Sequence, residues 1–154
     1  MTTSIEAGTT AGVQLKGSEW AKLGLVTAII SIAAVLAVQA MATALWPEIK
    51  TFPPLDSYAR SALFTLVPAL GATVLLAWLV GRQGQATQRF VGISVIVLLI
   101  SIIPDYILPV PNKTLLASTV AAFLHGVAAF VIVSVLLIGY HRLATAAASH
   151  SQIA

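Results

Sequence analysis

Cysteine is absent from this 154-residue chain. That absence excludes disulfides, thiolate metal sites, iron–sulfur clusters and thiol redox chemistry. Charge is scarce as well: eight Lys and Arg with five Asp and Glu make up 8% of the residues. A soluble domain carries roughly 25% charged residues, so this surface is not built for water. The formal charge of +3 is spread over scattered basic positions. Nucleic-acid binding wants a clustered basic face, and no nucleic-acid partner is expected.

What fills the sequence instead is apolar. Hydrophobic residues reach 58%, and mean hydropathy is +0.97. Four nearly charge-free runs stand out: Leu23 to Trp46, Ser61 to Val80, Phe90 to Val110 and Thr114 to Tyr140. A helical crossing of the bilayer core needs about 20 apolar residues, and each run supplies them. The fold class expected is all-α, a four-transmembrane-helix bundle, with membrane lipids as its surroundings.

The predicted spans are about 20–46, 57–81, 89–108 and 113–141, within a membrane domain over 18–143. Residues 1–17 and 144–154 are polar or small and read as flexible tails. Val38-Gln39-Ala40 resembles a signal-cleavage site. The run containing it exceeds an h-region of about 7–15 residues and follows an acidic tail, so it is read as a retained helix. Ser18 is a natural N-cap there, with Glu19 in the first turn. Pro47 ends that helix, and Asp56 can cap the next one and pair with Arg60 one turn later. Pro68 removes a hydrogen bond from the second span, with Thr65 placed to help satisfy the freed carbonyl. Asn112 or Thr114 can cap the fourth.

Lys16, Lys22, Arg82, Arg89 and Arg142 fall at one end of this arrangement. Lys50, Arg60 and Lys113 fall at the other, with Glu48, Asp56 and Asp105 nearby. The positive-inside rule then places both termini in the cytoplasm. Interfacial aromatics agree: Trp20, Trp78, Phe90 and Tyr140 share one face, and Trp46, Tyr58 and Tyr106 the other.

Few polar side chains interrupt the runs, and those few are the candidates for function. Asp105 is the one acidic residue inside a run, and Ser94, Ser101 and Asp105 form a stripe on the third helix. Ionisable groups in membranes face the bundle interior or a water cavity. Asp105 reads either as a ligand or proton site, or as a helix-end cap paired with Arg60 or Lys113. His125 lies deep in the fourth span, where an imidazole must find a hydrogen-bond partner. Asp105, Ser101, Gln39 and Thr65 are the candidates for that partner. It is either a relay or ligand contact, or an interhelical bridge beside a close approach at Ala122 and Gly126. Gln39 and the Ser61, Thr65, Pro68, Ala72 face also point inward. Together with Asp105, His125, Ser101 and Arg60 they form a candidate polar pocket opening toward the outer face. Arg60 at its mouth reads as an anion contact or as a snorkelling side chain.

Catalytic and cofactor motifs are wanting. Haem held by two histidines needs a second deep imidazole, and His141 and His150 lie beyond the fourth run. No His/Asp/Glu set has zinc spacing, no glycine loop suits phosphate, and Gly92-Ile93-Ser94 lacks the second glycine of a nucleophile elbow. Every lysine lies outside the apolar runs, which removes a buried Schiff base. Asn112-Lys113-Thr114 matches a glycosylation sequon hard against the membrane. No cofactor, metal or catalytic residue is therefore expected.

The stretch from Phe52 to His125 resembles a family of small bacterial membrane proteins with about four helices. The likeness rests on Pro54-Leu55, Arg60, the run from Phe64 to Leu70, Arg89-Phe90, Ser101, Pro104-Asp105 and Leu124-His125. The resemblance implies a bacterial cytoplasmic membrane and singles out Asp105 and His125, and it brings no activity with it. The function expected is non-enzymatic: an accessory or structural membrane protein, packing with itself as a homo-oligomer or with a larger membrane complex. Ala33 with Ala37 and Ala40 with Ala44 supply small-residue faces for that purpose. The alternative is a small transporter, or a binder of a small ligand or lipid, built around Asp105 and His125. These two readings separate on whether the pocket residues meet.

Overall fold

The computed structural model describes residues 15–82 and 84–151. Four α-helices run up and down: α1 (Gly17–Leu45), α2 (Tyr58–Arg82), α3 (Ala86–Ile107) and α4 (Leu115–Ser151). Two short 3₁₀ turns, Pro47–Thr51 and Pro53–Leu55, link α1 to α2. At 1.5 Å per residue the helices measure about 44, 38, 33 and 56 Å. Each exceeds the roughly 30 Å hydrocarbon core, and all four are apolar enough to cross it. The protein is an integral membrane protein with four spans.

Its burial pattern is that of a lipid-solvated chain. α1 turns Thr27, Ser31, Gln39 and Thr43 inward and leaves Leu25, Val26, Ile29, Ile30 and Met41 outside. On α3 only Phe90 and Asp105 are buried. In water this arrangement would forfeit the hydrophobic effect; in lipid, helices associate through packing and polar contacts instead. Four threonine hydroxyls on the inward faces are satisfied by their own helices. Thr27, Thr43, Thr65 and Thr73 each donate to the carbonyl four residues back, at 2.8–2.9 Å.

α1 is the central packing element, lying against α2 on one side and α4 on the other, while α3 closes the ring on α4. Leu23, Leu76, Leu79, Phe90 and Leu136 fill the core near the chain ends. Ile49, Phe52, Leu55, Val35 and Leu124 fill it under the α1–α2 connection. That connection is pinned rather than loose: Gln39 Nε2 donates to the Leu55 carbonyl at 3.0 Å, and Asn112 Nδ2 to the Thr51 carbonyl at 3.1 Å.

Several local expectations are corrected. Helix α1 is capped at Lys16, not Ser18, because Glu19 reaches back to accept the Lys16 N–H at 2.7 Å. Ser57 rather than Asp56 caps α2, its hydroxyl taking the Arg60 N–H at 3.3 Å. Asp56 does pair with Arg60, at 2.9 Å. Thr65 donates to Ser61, so it does not serve the Phe64 carbonyl that Pro68 leaves free. Thr114, not Asn112, caps α4 through the Ala117 N–H at 3.1 Å. α4 continues past residue 141 to Ser151, since the alanine-rich stretch after Leu143 is strongly helix-forming. The expected N-terminal tail, apart from Leu15, Lys16 and Gly17, lies outside the described residues, as do residues 152–154.

Close helix approach occurs at two glycines other than the anticipated Gly126, whose missing Cβ faces open space. A Cβ on Gly139 would collide with Leu23 Cδ1, and one on Gly24 would sit 3.0 Å from Thr73 Cγ2. Gly24→Ala is therefore expected to be less stable than Gly126→Ala by about 1 kcal/mol, the overpacking cost that the open site does not carry. Gly126→Ala should be neutral or slightly stabilising, because alanine is the better helix former. Thermal unfolding in detergent compares the two directly; equal losses would contradict this packing.

Candidate functional site

A cavity of about 750 Å³ opens between α2 and α3 and is floored by α4. Along α2 its wall runs from Arg60 to Leu75, a rise of about 22 Å, so it is a slot parallel to the helices. The sequence explains its position. Small residues recur along it between larger ones: Ser61, Gly71 and Ala72 on α2, Ser94 and Ser101 on α3, Ala121, Ala128 and Ala129 on α4. Pro68 and Pro104 interrupt the two helices that form its lips.

Of the anticipated pocket residues, Asp105, His125, Ser101, Thr65 and Arg60 line this one cavity, together with Ser61, Pro68 and Ala72. Gln39 does not. Fully buried, it spends its amide on the Leu55 carbonyl and fastens the connection above the cavity. The slot is amphipathic along its length. Arg60, Ser61, Thr65, Ser101, Asp105 and His125 gather toward the end under Phe52 to Leu55, while Leu75, Ile93, Ile132 and Val133 line the other end, where Ser94 is the one hydroxyl.

His125 Nε2 stands 3.4 Å from Asp105 Oδ2. This is longer than the roughly 2.7–3.2 Å of a good N–H···O bond, so the two attract without forming one. Asp105 is 8% exposed and His125 side chain 40% exposed. The Asp105 backbone is fixed separately, its carbonyl accepting from Ser118 Oγ at 2.7 Å. Among the described residues, three buried side-chain oxygens lack a hydrogen-bond partner: Ser31 Oγ, Gln39 Oε1 and Asp105 Oδ2. Only Asp105 among them lines the cavity.

Neither alternative pairing of Asp105 occurs. Arg60 binds Asp56 and the Pro53 carbonyl, and Lys113 Nζ caps α3 through the Tyr106 and Leu108 carbonyls at 2.6 and 3.1 Å. Among the described residues no group of three or more His, Cys, Asp or Glu is placed to hold a metal.

The slot itself was visible in the sequence only as a polar stripe. Its apolar half left no sign, because Leu, Ile and Val facing a void look the same in sequence as those facing lipid or a neighbouring helix. Compared with family models, curated proteins and solved structures, the chain matches none of them.

Proposed function

We propose that the protein binds or carries a small amphipathic molecule within the membrane, holding its chain in the slot between α2 and α3. The observation that carries this reading is the slot's own polarity gradient, apolar at one end and closing on a buried, underused carboxylate at the other. Ligand sites are concave and mostly apolar, with a few convergent polar groups. The basic residues near the chain termini support a cytoplasmic location for both ends, which puts the polar end of the slot in the outer leaflet. The likeness over Phe52 to His125 supports a bacterial cytoplasmic membrane.

The reading is non-enzymatic. In its support, none of the four cavity hydroxyls contacts Asp105 or His125; each bonds within its own helix. A photoreactive alkyl probe in lipid nanodiscs tests the binding role. Labelling should concentrate on slot-facing residues and be lost in Ala129→Trp, which fills the slot. Labelling spread over outward residues such as Ile96 and Ile100, and unchanged in Ala129→Trp, would contradict it.

The accessory-subunit reading has one observation of its own. Ala33, Ala37, Ala40 and Ala44 all lie exposed on α1, a face on which a second helix can approach closely. Ala37→Leu should then reduce any self-association seen by native mass analysis; an unchanged distribution opposes that role.

A further inference from the structure

The hydroxyls of the slot and the unpaired Asp105 oxygen offer acceptors. The side-chain N–H donors on its wall are those of His125 and of Arg60, the latter engaged by Asp56 and the Pro53 carbonyl. A hydroxyl has one hydrogen to give, and every Ser or Thr lining the slot has given it to backbone. Ser61 Oγ donates to Ser57 at 3.2 Å, and Thr65 Oγ1 to Ser61 at 2.8 Å. Ser94 Oγ donates to Phe90 at 2.8 Å and Ser101 Oγ to Leu98 at 2.8 Å. Their oxygens remain as acceptors only. Pro68 adds the Phe64 carbonyl, deprived of its helical donor. Asp105 adds a buried carboxylate with an unsatisfied oxygen. The charge of Arg60 is already met by Asp56 at 2.9 Å.

We infer that the slot selects its occupant by head group, taking long-chain molecules whose head donates hydrogen bonds and bears no negative charge, such as alkylamines or alkanols. This rests on the binding role proposed above. The amine or hydroxyl lies against Asp105 beside His125, and the chain extends toward Leu75 and Ile132. A carboxylate or phosphate head meets the acceptor oxygens of Ser101 and Asp105 there, with the His125 imidazole beside them, so anionic heads bind less tightly than donor heads. A buried acceptor left unpaired is costly, and a donor head removes that cost on binding.

The test displaces the alkyl photoprobe from the full chain in phosphatidylcholine nanodiscs with four twelve-carbon competitors at low mole fraction. Dodecylamine and dodecanol donate hydrogen bonds, dodecyltrimethylammonium is a cation without a donor, and dodecanoate is an anion. The expected result is that amine and alcohol compete at concentrations about tenfold lower than the other two, the scale of one hydrogen bond to a charged acceptor. Asp105→Asn should erase most of the gap between amine and dodecanoate. Competition by dodecanoate as strong as by dodecylamine overturns the head-group selection while leaving the binding role intact. Equal competition by dodecylamine and dodecyltrimethylammonium overturns it too, showing attraction by charge alone. Failure of the probe to label the slot at all removes the binding role itself. Should Asp105→Asn not fold, the ranking in the unaltered chain decides the matter.

Discussion

Phe52→Ala is expected to lower unfolding stability by about 3–5 kcal/mol, the range for deleting a buried aromatic ring. Phe52 has no exposed surface and sits between the two 3₁₀ turns, against Ile49, Leu55, Val35 and Ala121. It is also part of the cavity wall. Its removal leaves a void where the connection meets the bundle, and Gln39 alone cannot hold Leu55 in place. Chemical denaturation in mixed micelles measures the loss. A change below about 1 kcal/mol would mean that the connection does not pack as described, since surface substitutions rarely exceed half that size.

His125→Ala carries the second large effect. It deletes an imidazole 3.4 Å from Asp105 Oδ2 and leaves a buried carboxyl oxygen that has no hydrogen-bond partner. The His125 side chain is 40% exposed and makes no hydrogen bond to Asp105, so its removal is expected to cost about 1–3 kcal/mol, the scale of leaving a buried acceptor without a partner. Much of that is the penalty on the group left behind, so the loss should shrink when Asp105 is made asparagine first. A double-mutant cycle of His125→Ala and Asp105→Asn is expected to show coupling of about 0.5–3 kcal/mol. Additive losses would mean that the two side chains do not feel each other. This cycle reads stability alone and is independent of any ligand.

The parts of this structure that were legible in the sequence are those set by one helix at a time. Four spans follow from run length, and Pro47 ends α1 where its missing N–H and fixed φ require. Asp56 and Arg60 meet because a four-residue offset places them on one face of a single turn. Which faces meet across helices is a different kind of information. Ala122 and Gly126 have the spacing of a close approach, yet the contacts fall at Gly24 and Gly139. A small-residue pair states that a helix can be approached and not that a neighbour is there. Gln39 is polar and inward, which in the sequence marks a pocket residue. Its partner is a backbone carbonyl of Leu55, and the sequence carries no mark of a carbonyl bent inward by a 3₁₀ turn.

Asp105 and His125 lie between these extremes. Each drew attention alone, because an ionisable side chain inside an apolar run is expensive. Their proximity depends on how α3 and α4 are rotated about their axes, which Ser118 fixes through the Asp105 carbonyl. The acceptor character of the slot hydroxyls is one step further removed. It emerges from four separate hydroxyl bonds whose directions are set by the backbone turns beneath them.

Because the chain holds no cysteine, a single one at Ser94 gives a unique spin-label site inside the slot. The decisive measurement is the oxygen accessibility of that label in lipid bilayers, before and after saturation with dodecylamine. An open, chain-binding slot gives high accessibility that falls sharply when the amine is added, with no change at a label on outward-facing Ile96. A label at Ser94 already shielded from oxygen, and indifferent to the amine, would show that α2 and α3 are closed against each other and that no such site exists.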